Sequence, residues 1–124
     1  MSNKNVPRTF GDSVIHESHI DIMVENNDFP LYERHLDGPR NPAEKKIGEL
    51  IGNNLVEDGA TLQMGIGAIP DACLGSLKHH MDLGVHTECF SDGILELMEC
   101  SAITNARKPL FPGKVCIVTF IAFI

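Results

Sequence analysis

Basic residues are sparse in these 124 residues: 10 Lys and Arg against 17 Asp and Glu leave a formal charge of −7, and no dense basic stripe occurs. A phosphate backbone is bound mainly by Lys and Arg, so a nucleic-acid surface is excluded as the main partner, and any anionic ligand must be held locally. No Cys-x-x-Cys pair exists among Cys73, Cys89, Cys100 and Cys116. The start of the chain has no apolar leader, so the cysteines are expected to be reduced and mostly buried in an intracellular protein, cytoplasmic or mitochondrial. No apolar run is long enough to cross a membrane; the longest, Val115 to Ile124, is about half the roughly 20 residues a spanning helix needs and reads as a buried strand. Internal repeats and low-complexity tracts are also lacking.

The remaining composition is that of a folded domain, with 43% hydrophobic and 22% charged residues. Residues 1–25 read as turn and strand, with Gly11-Asp12 as a turn. Ile20, Ile22 and Val24 alternate with Asp21, Met23 and Glu25, which predicts a half-buried antiparallel or edge strand. Between Asn26 and Asn41, Pro30, Gly38, Pro39 and scattered charges break all periodicity, as in a linker. Asn41-Pro42-Ala43-Glu44 then has the form of a helix start, and Ile47, Leu50, Ile51 and Leu55 follow at helical spacing up to Asp58-Gly59.

Thr61 to Met64 reads as a short strand leading into Gly65-Ile66-Gly67, after which Pro70 and Asp71 open a helix that finishes around Met81. Asp82-Leu83-Gly84 turns into a strand that ends at Glu88, Ser91 is placed to cap a further helix, and Pro109 to Gly113 leads into the final strand. Alternating strands and helices predict an α/β fold with an open, mainly parallel sheet flanked by helices. The last strand has no turn or polar tail after it, so the sheet is expected to be incomplete and the chain a piece of a longer one.

In such sheets ligands bind beyond the carboxyl ends of the strands, where the Gly65-Gly67 loop and Glu88 both fall. Three readings fit. An acidic residue about 20 positions after a glycine loop suits a dinucleotide ribose, although Pro70 stands where a third glycine belongs. Glu88 also suits a nucleophile, with loop amides stabilising an oxyanion. A plain tight turn beside a solvated glutamate is the third. His16 and His19, or His79 and His80, form no complete metal-ligand set and read as surface or turn histidines, while Lys108 and Lys114 read as solvated loop residues at least as well as phosphate contacts.

The stretch from Leu55 to Ala72, which contains Asp58-Gly59-Ala60-Thr61-Leu62-Gln63-Met64-Gly65-Ile66-Gly67-Ala68-Ile69-Pro70, closely resembles the acetyl-CoA hydrolase and 4-hydroxybutyrate CoA-transferase family. So do Leu83-Gly84-Val85-His86-Thr87-Glu88-Cys89-Phe90-Ser91-Asp92-Gly93, Ile103-Thr104-Asn105, Pro112-Gly113-Lys114 and, near the start, Pro7 to Ser13. The resemblance implies a class I coenzyme A transferase fold of two α/β domains, of which residues 1–40 would be the end of the first plus a linker and residues 41–124 the beginning of the second. It implies Glu88 as the catalytic nucleophile and Gly65, Ile66, Gly67, Ala68 and Ile69 as the coenzyme A-binding loop. Acyl-CoA and small carboxylates are then the substrates, with no permanently bound cofactor and no metal. A homo-oligomer is compatible with this reading.

Overall fold

The computed structural model describes residues 2–6, 8, 10–30 and 41–119, the side chains of Val118 and Thr119 excepted. The chain divides into two compact units, residues 1–33 and 34–124. In the first unit the described residues form a 3₁₀ turn at Glu17–His19 and one parallel bridge between Ser2 and Glu25. The strand expected at Ile20 to Glu25 is not formed. Alternation alone does not make a strand without a partner ladder and a surface to cover it, and Ile22 is 81% exposed. Most of the expected linker lies outside the described residues.

The second unit opens with α1, Pro42–Leu55, whose start follows the sequence closely. The Ala43 amide donates to Asn41 Oδ1 at 3.0 Å, and the Asn41 amide donates to Glu44 Oε2 at 3.2 Å, a reciprocal capping box with Pro42 at the first helical position. Its packing differs from expectation. The helix buries Gly48 and Gly52, while Ile47, Leu50 and Leu55 remain exposed. A Cβ on Gly48 would lie 2.5 Å from the carbonyl carbon of Ala72, and one on Gly52 would lie 2.3 Å from Ser76 Oγ. The helix is therefore drawn against its neighbour through the two positions that lack side chains, and of the predicted apolar stripe Ile51 packs against the core while Ile47, Leu50 and Leu55 face outward.

Among the described residues three parallel strands follow, in the order β1 (Thr61–Leu62), β2 (Gly84–Cys89) and β3 (Cys116–Thr119). Thr61 pairs with Gly84 and Leu62 with Val85; His86 pairs with Cys116 and Thr87 with Ile117. Helices α2 (Ala68–Gly75) and α3 (Asp92–Glu99) connect them, giving the predicted α/β alternation. The final strand of the sequence reading is described only as far as Thr119. Helix α2 starts two residues earlier than expected and ends six residues sooner, so a connection of turns and irregular backbone runs from Ser76 to Asp82, and Leu83 forms a parallel bridge with Ile103.

The core gathers Leu74 and Leu77, Leu83 and Val85, and Ile94 and Leu97, all at 0–1% exposure, together with Met64, Cys73, Ala102 and Ile103. Fully burying one such aliphatic side chain contributes about 1.5–3 kcal/mol. Cys73 is the one buried cysteine; Cys89 and Cys116 are half-buried and Cys100 is exposed, which corrects the expectation that most are buried. All four are free thiols.

Candidate functional site

The site begins where β1 stops pairing. Its ladder ends at Leu62–Val85, and continuing that register places Met64 opposite Thr87. At that level the side chain of Thr87 replaces the backbone ladder: its hydroxyl donates to Met64 O at 2.9 Å and accepts from Met64 N–H at 3.0 Å. Thr87 is 2% exposed and Met64 is 7% exposed, so both bonds are buried. One residue beyond this junction lie Gly65, past the end of β1, and Glu88, still in β2.

Gly65, Ile66, Ala68 and Ile69 face solvent, and Gly67 is half-buried. Gly67 is the N-cap of α2, with φ 137° and ψ 177°, a region open essentially to glycine alone. Gly65 has no such constraint, since its φ is not positive and an added Cβ would meet only Pro70 Cγ at 3.7 Å. The expected loop is thus divided in two: Gly65 to Gly67 form the turn, whereas Ala68 and Ile69 already belong to the first turn of α2. Among the described residues no side chain caps α2, and Pro70 carries no amide hydrogen, so the donors at its start are the Ala68 and Ile69 amides. Such a terminus favours negative charge.

Glu88 lies in β2, one residue from its end, and is exposed. Strand alternation sends His86 and Glu88 to the face opposite Val85 and Thr87. Among the described residues its carboxylate makes no hydrogen bond or ion pair, which leaves both oxygens open to a reactant. The structure therefore brings the glycine turn, the start of α2 and Glu88 to one edge of the sheet.

Other residues depart from their expected roles. Ser91 precedes α3, but among the described residues its buried hydroxyl makes no cap and finds no hydrogen-bond partner. Lys108 is not a solvated loop residue: at 4% exposure its Nζ donates to Val85 O at 2.8 Å, Lys114 O at 2.6 Å and Cys116 Sγ at 3.2 Å. Buried Asn105 accepts the Val85 amide on Oδ1 at 2.8 Å. β3 begins only at Cys116, so these two side chains satisfy the Val85 backbone. His80 is buried too, with Nε2 3.0 Å from Val56 O, while His79 is exposed.

Sequence reasoning assigned Thr87 and Asn105 no role of their own and placed Lys108 in a solvated loop. Thr87 had a signal: a hydroxyl at a core-facing position of an alternating strand must find a buried partner. Lys108 had none, because a lysine among turn residues ordinarily faces water.

No family model matches the chain. It is 53% identical over 120 residues to the 4-hydroxybutyrate coenzyme A transferase of Clostridium kluyveri, covering 96% of this chain and 27% of that protein. It is also 53% identical over 113 residues to the succinyl-CoA:acetate/propanoyl-CoA:succinate CoA transferase of Fasciola hepatica, covering 91% and 23%. Among solved structures, RipA from Yersinia pestis matches with a TM-score of 0.86 at 38% identity, over 98% of this chain and 28% of that one. The 4-hydroxybutyrate CoA-transferase of Porphyromonas gingivalis matches with a TM-score of 0.84 at 38% identity, over 95% and 29%. The chain spans about a quarter of the length of the curated relatives it matches. Over that span, in sequence and in backbone, the chain belongs to the coenzyme A transferase family.

Proposed function

We propose that Glu88 is the nucleophile of an acyl-CoA:carboxylate coenzyme A transferase of the 4-hydroxybutyrate/acetate type, and that Gly65, Ile66, Gly67, Ala68 and Ile69 receive coenzyme A. The observation that carries this is a solvent-facing carboxylate, without a partner among the described residues, that shares a sheet edge with a glycine turn and the start of a helix. Residues 1–40 then close a first α/β domain and its linker, and residues 41–124 begin a second. Activity belongs to the whole protein, whose other segments supply the remaining walls.

An ionised glutamate needs no separate base to act as a nucleophile. Glu88 attacks the acyl-CoA carbonyl, the C–S bond breaks, and coenzyme A leaves as thiolate, so that an acyl-glutamyl anhydride remains. The thiolate attacks the Glu88 carbonyl carbon, the donor carboxylate departs, and a glutamyl-CoA thioester remains. An acceptor carboxylate repeats the sequence in reverse, leaving as its CoA ester and freeing Glu88. The Ala68 and Ile69 amides suit the negative charge that develops at each attack. Water in place of the acceptor gives hydrolysis, so the ratio of transfer to hydrolysis follows from how well the closed site excludes it.

The test is intact mass after incubation of the full-length protein with acyl-CoA. A coenzyme A adduct on Glu88, removed by hydroxylamine and absent from a folded Glu88→Ala variant without turnover, is expected. A folded wild-type protein that turns over without such an adduct overturns the assignment.

A further inference from the structure

We propose that Thr87 is a positioning residue of the transfer reaction, fixing the Gly65 to Gly67 turn relative to Glu88 through its two hydrogen bonds to Met64. The inference rests on the reading of Glu88 as the nucleophile, and it adds a residue that does not itself touch the substrate.

The argument starts from what holds the turn. The β1 ladder ends at Leu62, and among the described residues Gly65 and Ile66 make no hydrogen bonds. Downstream, the turn is tied to α2 by the Asp71 amide donating to Gly67 O at 3.1 Å. Upstream, the tie is Met64, whose N–H and C=O are both taken by the Thr87 hydroxyl at 3.0 and 2.9 Å. A single rotatable hydroxyl used as donor and acceptor toward one residue fixes that residue's backbone, and burial keeps water from competing for either bond.

Thr87 also lies within the paired part of β2, opposite Ile117, so its own backbone is held by the sheet. The turn is thereby referenced to the strand that carries the adjacent Glu88. Reaction between a carboxylate and a bound thioester depends steeply on such placement; a shift of about 1 Å costs on the order of 100-fold in rate.

The experiment compares Thr87→Val, which keeps the shape and removes the hydroxyl, with Thr87→Ser, which keeps the hydroxyl, in the full-length protein. Single-turnover formation of the Glu88 adduct is followed by mass, and hydrogen exchange is followed over residues 63–69. For Thr87→Val we expect adduct formation about 10- to 100-fold slower at saturating acyl-CoA and faster exchange in that segment. Thr87→Ser is expected within about threefold of wild type in both. Wild-type rates in Thr87→Val, or equal impairment in Thr87→Ser, overturn the role of the hydroxyl. If Thr87→Val does not fold, Thr87→Cys, a weaker donor and acceptor, is judged by the same two readouts. A wild-type protein that forms no adduct at all overturns the Glu88 reading, a result distinct from an adduct that forms equally fast in every Thr87 variant.

Discussion

The ammonium of Lys108 lies 2.8 Å from the carbonyl oxygen of Val85, buried beneath the start of β3. Its other two contacts are Lys114 O, just before that strand, and Cys116 Sγ, on the strand's first residue. One side chain thus joins the central strand to the entry of the next, at the point where the ladder between His86 and Cys116 begins. The charge sits among carbonyl dipoles, and its hydrogen bonds offset the cost of removing it from water.

Lys108→Met is therefore expected to destabilise the full-length protein. It leaves the carbonyls of Val85 and Lys114 without this donor, at a cost of about 1–3 kcal/mol. Urea unfolding should show a lower midpoint at an unchanged slope. A midpoint equal to wild type would mean that water or backbone adjustment replaces the ammonium.

The two glycines of the turn should separate fold from function. At Gly67 an alanine must adopt φ 137°, so Gly67→Ala is expected to cost about 1–3 kcal/mol in stability. At Gly65 the backbone is unstrained and the nearest atom to an added Cβ lies at 3.7 Å, so Gly65→Ala should change stability by less than about 0.5 kcal/mol. If coenzyme A approaches that backbone closely, the same variant raises KM for acyl-CoA about tenfold or more, a change equivalent to about 1.4 kcal/mol of binding. Thermal melts and steady-state kinetics on both variants read the two effects independently. Unchanged kinetics in Gly65→Ala would remove Gly65 from the binding loop.

The four thiols should differ in reactivity. Burial pushes the Cys73 thiol above its usual range, which lowers its thiolate fraction, whereas Cys100 is exposed. Alkylation of the native protein at mild alkaline pH should modify Cys100 first and Cys73 last, as read by peptide mass. The same shift has a sign for stability. Folded Cys73 holds its proton above the pH at which the unfolded thiol loses it, so the stability it contributes declines as pH rises above about 9. Rapid labelling of Cys73 ahead of Cys100 would contradict the described packing.

The sequence by itself determined the features that depend on near neighbours. The capping box of Asn41 and Glu44, the glycine turn at Gly67, the order of strands and helices, and Glu88 close to a strand end all follow from spacings of a few residues. Tertiary structure decided which side chains hold that edge together. Ile47, Leu50 and Leu55 have helical spacing, yet close approach at Gly48 and Gly52 set the face that α1 buries. Thr87 reaches Met64 across 23 residues, and Lys108 reaches Val85 across the same separation. Contacts of that range depend on strand register and on where each ladder stops, and neither is written in local periodicity. The sequence thus marked the carboxylate and the glycine turn, while packing alone fixed how rigidly the two are joined.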